Sequence, residues 1–146
     1  MKNILVRLFC LSIFILLASS LYAQSDQDIV AYKQNLMKSN GLHMGMIGQI
    51  LQKKVPFTDQ ITSQAKVIEL NMALFKEASE KKILGSGTES KAEIWDNWAA
   101  FSTAADKAIA AAEALADAKE GDVMSKTRDL GGTCGACHQM FRVPKN

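Results

Sequence analysis

From about residue 25 onward, apolar side chains recur every three or four positions in four long runs, the period of helices with one buried face. The first run covers 26–54, with Ser25 or Asp26 as its cap. Its stripe is Ile29, Tyr32, Leu36, Met37, Met44, Ile47, Ile50 and Leu51. Val55-Pro56 should end it, because the residue before a proline is pushed out of the α region. The second starts near Thr58 or Asp59 and carries Ile61, Ala65, Ile68, Met72 and Phe75 to about Lys82. Gly85-Ser86-Gly87-Thr88 reads as a loop. Ser90-Lys91-Ala92-Glu93 then has the spacing of a capping box, opening a third helix through Ile94, Trp95, Trp98, Phe101, Ala105, Ile109, Ala112 and Leu115. Gly121 should break that helix and Asp122 cap the fourth. The fourth presents Val123, Thr127, Leu130, Cys134, Cys137 and Phe141 on one side and closes at Pro144. Strand-type alternation, internal repeats and low-complexity tracts are missing. The pattern predicts an all-α chain, an antiparallel up-down-up-down four-helix bundle with short connections.

Residues 1–23 stand outside this periodicity. Lys2 and Arg7 precede an uncharged apolar core from Leu8 to Ala18, and Leu21-Tyr22-Ala23 offers a small residue before Gln24. That is the layout of a secretory signal peptide. The uncharged stretch from Leu8 to Ala23 falls short of the roughly 20 residues a membrane span needs. The expected mature chain is therefore 24–146, a single exported domain without membrane insertion, and the periplasm is the expected compartment. Cys10 leaves with the leader. So do Lys2 and Arg7, which reduces 17 basic residues to 15 against 15 acidic ones. A nucleic-acid role would want a basic excess, and this balance argues against one.

The remaining cysteines fall within Cys134-Gly135-Ala136-Cys137-His138. Two thiols separated by two residues and followed at once by a histidine read as a c-type haem attachment site. On a helix, positions i, i+3 and i+4 leave one face within about one turn. Two sulfurs can then add across the vinyl groups of a macrocycle, with an imidazole beneath its iron. Other uses of the thiols are a dithiol redox pair or part of a zinc site. Zinc usually takes four ligands, which would require His43 as well. A thioredoxin-like pair should sit beside a βαβ pattern, and none is visible.

A bundle of this size with the motif on its last helix resembles the class II c-type cytochromes, the cytochrome c′ family. The likeness rests on Cys134-Gly135-Ala136-Cys137-His138-Gln139-Met140-Phe141-Arg142, on Glu93-Ile94-Trp95, and on Tyr32-Lys33-Gln34-Asn35-Leu36-Met37-Lys38-Ser39-Asn40-Gly41. It implies one covalently attached haem c between the first and fourth helices, with Cys134 and Cys137 as tethers and His138 as the proximal iron ligand. In the cytochrome c′ branch an apolar residue on the first helix covers a five-coordinate, high-spin iron that binds nitric oxide or carbon monoxide. In the cytochrome c-556 branch a methionine there is the sixth ligand and the protein resembles an electron carrier. That position here is Met37, so the resemblance implies a monohaem carrier of one electron between redox-protein partners, with no substrate turned over and a homodimer possible.

Met44, seven residues on, points the same way but about 10 Å along the axis, so both sulfurs cannot reach one iron. Met46 points elsewhere. His43 lies about 120° around the helix from Met37 and reads as a rim residue. The family's propionate-pairing arginine falls at Lys33, which keeps the charge and loses the bidentate fork. Arg142 matches a family arginine four residues after the histidine; by its position alone it would complement the helix dipole. Trp95 and Phe141 are expected to pack around the macrocycle. Gly41, Gly45 and Gly48 form a small-residue ridge suited either to a helix contact or to the haem plane.

Overall fold

The computed structural model describes residues 25–144 apart from Ser86. The expected leader, 1–23, lies outside the described residues. The helices are α1 (Asp26–Leu51), α2 (Ile61–Ala78), the single turn α3 (Glu93–Asp96), α4 (Trp98–Ala116) and α5 (Val123–Phe141). Short 3-10 turns, Thr58–Gln60 and Glu120–Asp122, lead into α2 and α5. Four long helices thus carry the fold. α1 packs on α2, α2 on α4 and α4 on α5, the neighbour relations of an up-down-up-down bundle. The last side, between α1 and α5, is not closed by direct packing, and a cavity lies there.

Two apolar clusters flank that opening. One joins Ile47 and Ile50 of α1, Ala65 and Ile68 of α2, Ala105, Ala108 and Leu115 of α4, and Leu130 of α5. The alanines of α4 let its neighbours approach closely. The other is aromatic: Phe101 meets Trp98 at 5.2 Å and Phe75 at 6.2 Å, both tilted, and takes Phe141 edge-on at 5.5 Å.

The helix ends differ from the sequence expectation, each for a local reason. α1 stops at Leu51, before Lys54 and well before Pro56. Lys53 adopts φ 56°, its N–H donates to Ile50 O, and Lys54 N–H donates to Gln49 O. That is a Schellman closure with lysine in the place glycine usually takes. α2 stops at Ala78, and the carbonyl of buried Ser79 accepts from Trp95 Nε1 at 2.8 Å. The capping box at Ser90 does not form. Ser90 instead makes an isolated antiparallel bridge to Arg142, with Lys91 N–H donating to Phe141 O and Val143 N–H to Glu89 O.

The third helix is split at Asn97 (φ −137°, ψ 65°), whose side chain accepts from Ala100 N and caps α4. α4 then ends at Ala116, ahead of Gly121. Asp122 makes no side-chain cap, and α5 ends at Phe141, before Pro144, because Arg142 is extended in the bridge. The buried face of α1 is also rotated. It runs Val30, Lys33, Leu36, Asn40, Ile47, Ile50, while Tyr32 is 48% exposed. Two of those positions are polar, so a search for apolar spacing alone passes over them.

Candidate cofactor site

The cavity between α1 and α5 has a volume of about 350 Å³, within the range of small-molecule sites. α5 supplies Cys134, Cys137 and His138 to one wall, and α1 supplies Lys33, Met37, Asn40 and Met44 to another. α2 closes the back with Ile68, Met72 and Phe75. The helix of α5 does what the spacing requires: residues 134, 137 and 138 share one face.

Both thiols are free and half-buried. Cys134 packs against the aliphatic cluster and Cys137 against the aromatic one. Burial raises both thiol pKa values, and Cys134 raises that of Cys137 further. His138 stands at the accessible edge of the cavity. Partial burial lowers its pKa, the Arg142 charge lowers it more, and Glu89 opposes both.

Lys33 is 2% exposed, and its Nζ has no hydrogen-bond partner among the described residues. It lies 5.4 Å from the Trp95 ring and 5.9 Å from that of Phe75, contacts that soften the loss of water without replacing an anion. Its pKa is lowered by burial. Asn40, 8% exposed, leaves both Nδ2 and Oδ1 unpaired. Arg142 is engaged: its Nε and Nη2 both donate to Glu89 Oε2, at 2.9 and 2.7 Å. Its backbone N–H caps α5 on His138 O, and its guanidinium is held in an ion pair at the rim.

Met37 and Met44 both reach the cavity wall, and so does Met72 of α2, which the sequence pattern marked only as core. Met46 is surface-exposed. His43 does not line the cavity; its Nδ1 bonds Gln64 Oε1 across α1 and α2. Trp95 and Phe141 pack in the aromatic cluster. Of the glycine ridge, only Gly41 borders the cavity, and a Cβ on Gly45 would meet nothing within 4 Å. The ridge is thus not a helix contact within the described chain. Glu89 and Asn40 were not singled out by sequence reasoning. Glu89 lies in a loop with no periodicity, whereas Asn40 could have been found as an amide standing on an otherwise buried stripe.

The residues fit a flat apolar macrocycle carrying carboxylates. The long walls are aliphatic, aromatic or thioether, a buried ammonium lacks an anion, and two unpaired thiols share a face with an imidazole. Fold and site together define a c-type haem protein built on a helical bundle. The cytochrome c′ family model matches residues 28–142, and the chain belongs to that family.

Among relatives, a cytochrome c′ of Rubrivivax gelatinosus is 30% identical over 128 residues, 82% of this chain and 97% of the relative. A cytochrome c-556 of Agrobacterium tumefaciens is 34% identical over 116 residues, 76% and 91% of the two chains. Among solved structures, a variant of cytochrome c′ from Alcaligenes xylosoxidans in complex with nitric oxide superposes with a TM-score of 0.71 at 25% identity, covering 84% of this chain and all of that one. The protein is therefore a monohaem cytochrome with covalently attached haem c. Among the described residues no helix is long and apolar enough to cross a membrane.

Proposed function

We propose that the protein is an exported, periplasmic carrier of one electron between redox proteins, with its iron held by His138 and Met37. The haem supplies an Fe(III)/Fe(II) couple; the chain supplies ligands, burial and charge. In this reading Cys134 and Cys137 tether the ring through thioethers, and Lys33 receives a propionate in place of the anion its ammonium lacks. Arg142 and Glu89 brace the proximal rim as a pair. Nothing is turned over, and redox partners meet the accessible edge near His138.

The observation that carries the reading is that Met37, a thioether on α1, lines the same cavity as His138 of α5. Thioether ligation raises a haem potential and keeps the iron six-coordinate. The likeness to cytochrome c-556 relatives supports it. Ferric absorption and EPR spectra test it: a low-spin signal that turns high-spin in Met37→Ala is expected, and a high-spin wild type overturns it. Nitric oxide or carbon monoxide binding at a five-coordinate iron is the second reading, favoured by the likeness to a protein crystallised with nitric oxide.

A further inference from the structure

Asn40 faces the cavity with its amide withdrawn from water, and neither Nδ2 nor Oδ1 has a partner among the described residues. Buried polar groups in folded proteins are satisfied as a rule, and an amide left unpaired is costly. The missing partner is supplied once the cavity is filled, either by the occupant itself or by a wall side chain that the occupant repositions. A propionate is poorly placed to be that partner. Lys33, the buried cation suited to a carboxylate, lies seven residues earlier, about 10 Å along α1. Met37 lies between them, three residues before Asn40 on the same face. Helical side chains lean toward the N-terminus, so the Asn40 amide covers the turn that carries Met37. A thioether sulfur only accepts hydrogen bonds, and the Asn amide has two N–H groups to give.

We infer that Asn40 is a positioning residue for the Met37 thioether in the haem-bearing protein: once the sulfur turns to the iron, the Asn40 Nδ2–H that is unpaired here donates to it, holds it toward the haem and draws electron density from it. The inference rests on Met37 being the axial ligand. A sulfur depleted of electron density favours ferrous iron over ferric, so the hydrogen bond raises the reduction potential. It also restrains the sulfur from leaving the iron.

The test compares the haem-bearing wild type with Asn40→Leu, which keeps the volume and removes the donor. Asn40→Ala serves if leucine does not yield folded protein. Three readouts are taken: the near-infrared sulfur-to-iron charge-transfer band of the ferric protein, the reduction potential, and cyanide affinity of the ferric iron. Expected are a displaced or weakened band, a lower potential, and cyanide binding tightened roughly fivefold, the ratio one net hydrogen bond represents. A band, potential and cyanide affinity equal to wild type overturn the inference. A changed pH dependence of the potential with an unmoved band also overturns it, since the amide would then hold a propionate. If the wild type itself lacks the band, Met37 ligation fails, and the role of Asn40 falls with it for that separate reason.

Discussion

Replacing Lys33 by methionine keeps an unbranched side chain of similar length and deletes the charge. Without haem, the Lys33 ammonium is almost wholly excluded from solvent, with only two ring faces, at 5.4 and 5.9 Å, as compensation. A buried ammonium with no partner costs more than the roughly 3 kcal/mol upper figure for a neutral donor, and the two ring contacts, both near the outer limit of about 6 Å, together return about 1–2 kcal/mol. Lys33→Met should therefore stabilise the haem-free protein by about 1–3 kcal/mol. With haem bound and a propionate on Nζ, the same change deletes a charge-assisted hydrogen bond of about 1.5–3 kcal/mol and destabilises.

The sign should reverse between the two forms. Urea unfolding of the haem-bearing protein and of a haem-free Cys134→Ser/Cys137→Ser variant, each with and without Lys33→Met, measures it. The same sign in both forms refutes the reasoning. A pH series adds a second check on the haem-free protein. Burial lowers the Lys33 pKa from 10.5, so between the lowered value and 10.5 the folded state binds fewer protons than the unfolded chain. Stability must then rise with pH across that window, with the penalty absent above it. Lys33→Met should flatten this rise.

Three other substitutions probe the frame around the site. Phe101→Ala removes the ring that Phe75, Trp98 and Phe141 all touch and should cost about 3–5 kcal/mol in urea unfolding; a loss under 1 kcal/mol would show that the aromatic cluster is not a packed core. Asn97→Ala removes the bond to Ala100 N and should cost about 1 kcal/mol, whereas Asn97→Asp should hold stability within a few tenths. Gly45→Ala, in mid-helix with open space where the methyl would go, should stabilise by about 0.5–1 kcal/mol; a loss on thermal unfolding would mean that a second copy packs on that face.

The four long helices and the common face of Cys134, Cys137 and His138 were legible in the residues, because helical period and i, i+3, i+4 spacing are local properties of a chain. The existence of α1, α2, α4 and α5 needed no partner information. Their ends did. Lys53 in the left-handed region, Asn97 as an internal cap and the Ser90–Arg142 bridge each depend on which competing backbone hydrogen bond wins once the segments meet. The rotation of α1 that buries Lys33 and Asn40 likewise escaped the pattern. Apolar spacing reports burial against apolar neighbours, and these two side chains are buried against a cavity.

From its order of residues alone, this chain determined four amphipathic rods and a thiol–thiol–imidazole face on the last of them. Only the packed bundle decided that α1 and α5 stand apart, that Met37, Met44 and Met72 share the space between them, and that an ammonium and an amide wait there unpaired. The physical reason is that a helix face is encoded within one turn of sequence, whereas a cavity is the gap left when distant turns are brought together.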